Sequence, residues 1–166
     1  MKYLVLVLIV SFSSISFSQV SIPDNKLVKS PQAIVNELMN IISGDTTEVR
    51  DWEHFRSLFI PSAQFIIKNH NPRQRPISTL SLEDFVRMLG PTYQKNGFLE
   101  EQLEVRVDEY NGIAQVFQVY HCKTLNGAYE AKGVNSYQLV YGQNRWWIAS
   151  LMWASDENGV EVPEKL

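Results

Sequence analysis

Asn111-Gly112 constrains this chain more than any other dipeptide in it. The run LEVRVDEY before it alternates, with Leu103, Val105 and Val107 on one face and Glu104, Arg106 and Asp108 on the other. Asn-Gly reaches the left-handed backbone of a tight two-residue turn at little steric cost, so two alternating runs joined by it read as a hairpin. A two-residue turn there pairs Val107 with Val116, Val105 with Gln118 and Leu103 with Tyr120. Paired residues share a face, so Val116, Gln118, Tyr120 and Cys122 are expected to look inward. GVNSYQLVY supplies a third long strand, and the turn GQNR leads into a fourth, NRWWIASLMW.

Helical signals precede the strands. In SPQAIVNELMNIIS, Ser30 is a cap and Pro31 opens the first turn. Ile34, Leu38, Ile41 and Ile42 recur at helical spacing, and Gly44 and Asp45 close the element. RDWEHFRSLF predicts a second, shorter helix with Trp52, Phe55 and Phe59 on one face and Pro61 ending it. AQFIIK reads as a strand and NHNPRQRPIST as a loop. Ser81 and Asp84 form a variant capping box for a third helix, with Leu82, Phe85, Leu89 and Tyr93 inward and Pro91 near its end. Helices followed by a meander of antiparallel strands make an α+β fold, three helices packed on one face of a curved sheet.

The first residues read differently. MKYLVLVLIV begins with Lys2 and runs apolar, and SFSSISFSQV turns to small and polar residues. That order describes a secretory signal peptide over 1–18, cut near Ser18–Gln19. The apolar run is shorter than the roughly 20 residues that span a bilayer. The expected product is exported, periplasmic or secreted, with no membrane attachment after cleavage. Residues 19–29 then form a loose leader, 30–155 one domain and 156–166 a C-terminal tail. The 166 residues carry a formal charge of −3, which offers no general attraction to nucleic acid. The single cysteine, Cys122, excludes an internal disulfide. No His or carboxylate cluster has metal-ligand spacing, so neither metal nor cofactor is expected. Lys68, Arg73 and Arg75 stud the loop before the third helix, where a solvated rim is the simpler reading than an anion site.

NRWWIASLMW holds three of the four tryptophans. Strict alternation places Trp146, Ile148, Ser150 and Met152 on one face and Trp147, Ala149, Leu151 and Trp153 on the other. Neither face is polar, so both are expected to be covered. Trp146 is assigned to core and pocket wall. Trp147, Leu151 and Trp153 are assigned to an outer face that, with Val134, Ser136, Gln138 and Val140, would meet a second copy in a homodimer.

RDWEHFRSLFIPSAQF, the four long strands and the closing RWWI…W resemble the nuclear transport factor 2-like superfamily, and more narrowly an exported bacterial branch of it. The superfamily includes ketosteroid isomerase, scytalone dehydratase and the SnoaL-like polyketide cyclases. The resemblance covers roughly residues 31–155. It implies a cone, a bent sheet wrapped on helices, with a pocket inside. The isomerase's catalytic residues have no counterparts at the matching positions. The first helix's apolar stripe holds no Tyr, AQFIIK holds no acid, and neither does the inward face of Leu103 to Val107. Scytalone dehydratase relies on His and Tyr residues, and only His54, His70 and His121 exist here.

Three functional readings follow. One is a binding module for an apolar small molecule, lined by Trp52, Tyr93, Gln118, Tyr120, Asn135, Tyr137, Trp146 and Ser150. Another is a lyase or isomerase acting by proton transfer, with Tyr120, Tyr137 or His54 as its base. The third is a dimeric interaction module whose cone is filled. No catalytic residue is assigned.

Overall fold

A computed structural model describes residues 26–166, apart from 72 and 74. The expected signal peptide and most of the leader lie outside the described residues. The elements run α1 (Pro31–Ile42), α2 (Trp52–Ser57), β1 (Phe59–Lys68), β2 (Ile77–Ser81), α3 (Leu82–Asn96), β3 (Leu99–Tyr110), β4 (Ile113–Lys123), β5 (Glu130–Gly142) and β6 (Arg145–Ser155), with a short 3-10 turn at Asp156–Asn158. One six-stranded sheet has the order β2-β1-β6-β5-β4-β3. The meander β3 to β6 is antiparallel, and β1 pairs parallel to β6.

The local signals act as their chemistry requires. Ser30 Oγ accepts from the Ala33 amide at 3.1 Å, and Ser81 Oγ accepts from the Asp84 amide at 3.1 Å. Asn111 and Gly112 both take positive φ, 46° and 82°, and join β3 to β4. Val107 faces Val116 and Val105 faces Gln118.

Other elements depart from the reading. The second helix ends at Ser57, and Phe59 opens β1 instead of closing α2. The last strand captures the chain there: the Ile148 amide donates to the Leu58 carbonyl at 3.0 Å, and the Arg145 guanidinium donates to the Ser57 carbonyl at 2.9 Å. The stretch read as loop runs into β2, a five-residue edge strand antiparallel to β1 whose first three residues it holds. The leader is anchored at its end: Val28 is buried and its carbonyl accepts from the Trp146 amide at 2.9 Å.

Two β-bulges decide which residues enter the cone. In β3 the pairing passes from Gln102–Tyr120 to Glu104–Val119, so Leu103 is an extra residue. An extra residue reverses the alternation beyond it. Leu103 is 47% exposed, not inward, and Gln102 and Glu100 take the inner positions. In β6 the pairing passes from Leu139–Ile148 to Gln138–Ser150, which leaves Ala149 extra. Leu151 and Trp153 therefore turn inward, against the assignment to an outer face, while Ser150 and Met152 turn outward. Trp147 alone of the three proposed dimer residues stays outside, where Arg145 lies 4.0 Å over its ring.

The core lies between sheet and helices. Phe55, Phe59, Phe65 and Phe85 stack in one aromatic group, with Phe65–Phe85 centroids 4.4 Å apart and Trp153 edge-on to Phe85. Buried Arg50 fastens the end of α1 by donating to the carbonyls of Ile42, Gly44, Asp45 and Glu48.

Candidate functional site

A cavity of about 360 Å³ opens inside the cone. Leu38 and Ile42 of α1, Phe55 of α2 and the inward face of α3 close it on one side. Phe65 and Ile67 of β1, Leu151 and Trp153 of β6 and the inner residues of β3 to β5 form the other. Its exposed lining residues are Met88 and Thr92 on α3 and Ala128 and Tyr129 before β5, so the mouth lies between α3 and the β4–β5 loop. Lys68, Arg73 and Arg75 do not line it, and among the described residues no Lys, Arg or His does.

Most of the wall is aliphatic or aromatic. Besides Thr92, Asn96 and Thr124, which also line it, a polar strip crosses β3, β4 and β5. Asn135 Nδ2 donates to Glu100 Oε1 at 2.8 Å and to Gln118 Oε1 at 3.1 Å. Tyr137 donates to the same Gln118 oxygen at 3.0 Å, and Gln118 Nε2 donates to Gln102 Oε1 at 3.1 Å. Gln32 of α1 donates to Gln102 at 3.0 Å and continues the chain of amides to the surface. Gln118 is fully buried, and this network satisfies the amide that burial would otherwise penalise. The same contacts set the orientation of each amide.

Among the described residues Glu100 is the one acid in the cavity wall. Its backbone is fixed by Ser43, whose hydroxyl donates to the Glu100 carbonyl at 3.2 Å and accepts from its amide at 3.1 Å. Burial in an apolar wall raises its carboxyl from the usual 4.5 to about 7, and the Asn135 hydrogen bond opposes this. Among the described residues it forms no ion pair. The hydroxyls around it titrate far from neutrality. Burial pushes Tyr93, Tyr120 and Tyr137 well above the ordinary phenol value and the Cys122 thiol up to about 12. Tyr120 gains its place from Gly133, where a Cβ would collide with the Tyr120 hydroxyl and the Ala154 carbonyl.

The residues expected to line a pocket divide. Tyr93, Tyr120, Asn135 and Tyr137 face the cavity. Gln118 lies behind them and holds Asn135 and Tyr137. Trp146 is buried at the other end of the sheet, edge-on to Tyr141 at 5.5 Å. Trp52 packs over Gly90 of α3, outside the cavity. Ser150 is on the outer side because of the Ala149 bulge. Of the three candidate bases, Tyr120 and Tyr137 are held neutral by burial, and His54 does not line the cavity: its Nε2 lies 3.3 Å from Glu37 of α1. Sequence reasoning missed Glu100, Leu151 and Trp153, all three displaced from simple alternation by a bulge. It also missed Gln102, which the same bulge turns inward and which accepts from Gln118.

Compared by sequence, the chain matches no described family and no curated protein. Compared by structure, it has clear likenesses. A nuclear transport factor 2-like superfamily protein from Salmonella enterica superposes over 74% of this chain and 88% of its own, with a TM-score of 0.54 and 16% identity. A type 2 hexachlorocyclohexane dehydrochlorinase (LinA) superposes over 75% and 84%, with a TM-score of 0.56 and 12% identity. A cystatin-like domain from Nostoc punctiforme superposes over 74% and 75%, with a TM-score of 0.52 and 15% identity. The chain spans only 38% of the longer Bdellovibrio bacteriovorus Bd1075, which it matches at a TM-score of 0.55. Sheet order, curvature and these superpositions agree: the chain has the cone-shaped, cystatin-like fold of the nuclear transport factor 2-like proteins.

Proposed function

We propose that the protein binds a small, largely apolar molecule inside its cone, as an exported binding module. The observation that carries this reading is the cavity of about 360 Å³, walled mainly by aliphatic and aromatic side chains with a few polar groups among them. A cavity of that size and composition suits a small organic ligand, held by its apolar body and oriented by a few hydrogen bonds. The test is titration with the neutral fluorophore N-phenyl-1-naphthylamine, together with native mass spectrometry of protein from its own host. Saturable fluorescence enhancement, or a retained small molecule, is expected. No enhancement and no retained mass would remove the reading. Export predicts that secreted protein begins near Gln19, which N-terminal sequencing checks.

One observation favours a second reading, proton transfer. Glu100 is a carboxyl poised near neutrality in an apolar wall, the condition a general base needs. The dehydrochlorinase of the same fold is named for an elimination. 5-Nitrobenzisoxazole, which opens when a base removes its one acidic carbon-bound proton, tests this without knowledge of the substrate. Ring opening that inflects near pH 7 and disappears in Glu100→Gln supports an enzyme. A rate no greater than that of buffer supports the binding module.

A further inference from the structure

We infer that the ligand carries a protonated amine head on its apolar body, with the Glu100 carboxylate as counter-ion. This rests on the reading of the cavity as a small-molecule site and names the class of molecule. Three observations carry it.

The first is charge. Among the described residues Glu100 is the only acid in the lining, and none of their basic side chains lines the cavity with it. The groups that face it from the surrounding elements are Tyr93 of α3, Tyr120 and Cys122 of β4, and Asn135 and Tyr137 of β5. All are uncharged at neutral pH. From α1 only Leu38 and Ile42 enter the lining. The Arg50 guanidinium nearby is spent on four carbonyl oxygens. An ionised Glu100 thus stands in an apolar wall without a counter-charge, and a buried charge is stable only when paired.

The second is the wall around that charge. Tyr93, Phe98, Tyr120, Tyr129, Tyr137 and Trp153 are all in the lining. Ring faces attract a cation, most strongly where water is excluded. Carboxylate and rings together offer an ammonium head what neither a neutral nor an anionic head would use.

The third is hydrogen-bond supply. Asn135 gives one amide group to Glu100, and no other side-chain donor to the carboxylate exists among the described residues. A carboxylate has about four acceptor positions, and an ammonium head would supply donors to those that Asn135 leaves open.

Three probes with one apolar body separate the possibilities: 4-phenylbutylamine, 4-phenylbutan-1-ol and 4-phenylbutyrate. A primary amine stays protonated through neutrality, as a lysine of pKa about 10.4 does, so changes with pH report the protein. At about pH 8 the amine is expected to bind at least about tenfold tighter than the alcohol, with the carboxylate weakest, as a charge-assisted contact allows. The preference is expected to shrink at about pH 5, where Glu100 is protonated. In Glu100→Gln the amine and alcohol should bind alike. Equal binding of amine and alcohol by the wild type, or an amine preference that survives in Glu100→Gln, overturns the inference and leaves the small-molecule site standing. If none of the three binds at millimolar concentration, the site reading falls as well. If Glu100→Gln is unfolded by circular dichroism, the wild-type ranking of the three probes and its change with pH decide the matter.

Discussion

Glu100 shows how far a single side chain depends on its surroundings. A carboxyl that titrates near 7 instead of 4.5 binds a proton in the folded state that the unfolded chain has already lost. Stability therefore falls as pH rises from about 4.5 to about 7 and is flat on either side, the reverse of an acid held by a salt bridge. Glu100→Gln should remove this dependence. At about pH 8 the variant should be more stable than the wild type by roughly 3 kcal/mol, and near pH 4 about equal to it. Urea melts at the two pH values measure this, and an unchanged wild-type slope in the variant would assign the proton elsewhere. Asn135 acts on the same group with opposite sign. Its hydrogen bond favours the charged form, so Asn135→Leu should raise the carboxyl further, readable by carbon NMR titration.

At the scale of elements, the strands carry information that a bare alternation hides. β3 and β6 each contain one extra residue, Leu103 and Ala149, and each reverses the faces on one side of it. The reversal in β3 brings Glu100 and Gln102 inward. The reversal in β6 turns Leu151 and Trp153 into the cavity and moves Ser150 out. On the unreversed side Trp146 is 4% exposed and inward, in the core as read but not in the cavity wall it was also assigned to. Trp146→Ala should cost about 3–5 kcal/mol in a denaturant melt, the range for a large aromatic lost from a packed interior. A loss below about 1 kcal/mol would place the ring outside the core. Gly133 serves β4 and β5 together, because it leaves room for Tyr120 to lie across the next strand. Gly133→Ala has no such room and should cost about 1–3 kcal/mol as an overpacked site. The near-UV signal of the displaced tyrosine should change with it.

For the whole molecule, the cone has an apolar floor and a mouth at one side. The Phe55, Phe59, Phe65 and Phe85 group fills the space beneath β1 and leaves the cavity between α3 and the meander. Ala128 borders the mouth and is exposed, so a large side chain there obstructs entry without disturbing packing. Ala128→Trp is expected to weaken N-phenyl-1-naphthylamine binding more than about tenfold, at a melting temperature close to that of the wild type. Undiminished binding would mean that ligands enter by another route. The outer face carries Trp147 and half-exposed Met152 beside Val134 and Val140, a smaller apolar surface than one that included Leu151 and Trp153.

Much of this architecture was legible from the chain alone, because the signals involved act within a few residues. Ser30 and Ser81 cap their helices through amides three positions on. Asn111-Gly112 turns the hairpin by its own backbone preference, and the alternation next to that turn sets the pairing of Val107 with Val116. These are short-range contacts, and they sufficed for an α+β chain with helices on one face of a meander. Tyr93, Tyr120, Asn135 and Tyr137 were readable as cavity residues for the same reason, since each lies where helical spacing or unbroken pairing carries the face forward. Only the tertiary structure decided the rest. Bulges belong to the pairing of two strands in a bent sheet, so nothing local to Leu103 or Ala149 announces them. The short β2 exists because β1 offers an edge, and Phe59 joins a strand because β6 captures the chain before it. Glu100 is an unremarkable glutamate in sequence. Its place in the wall, its Asn135 partner and its raised pKa come from residues 35 positions away and from helices packed across the cone, since burial belongs to the assembled fold and not to a residue.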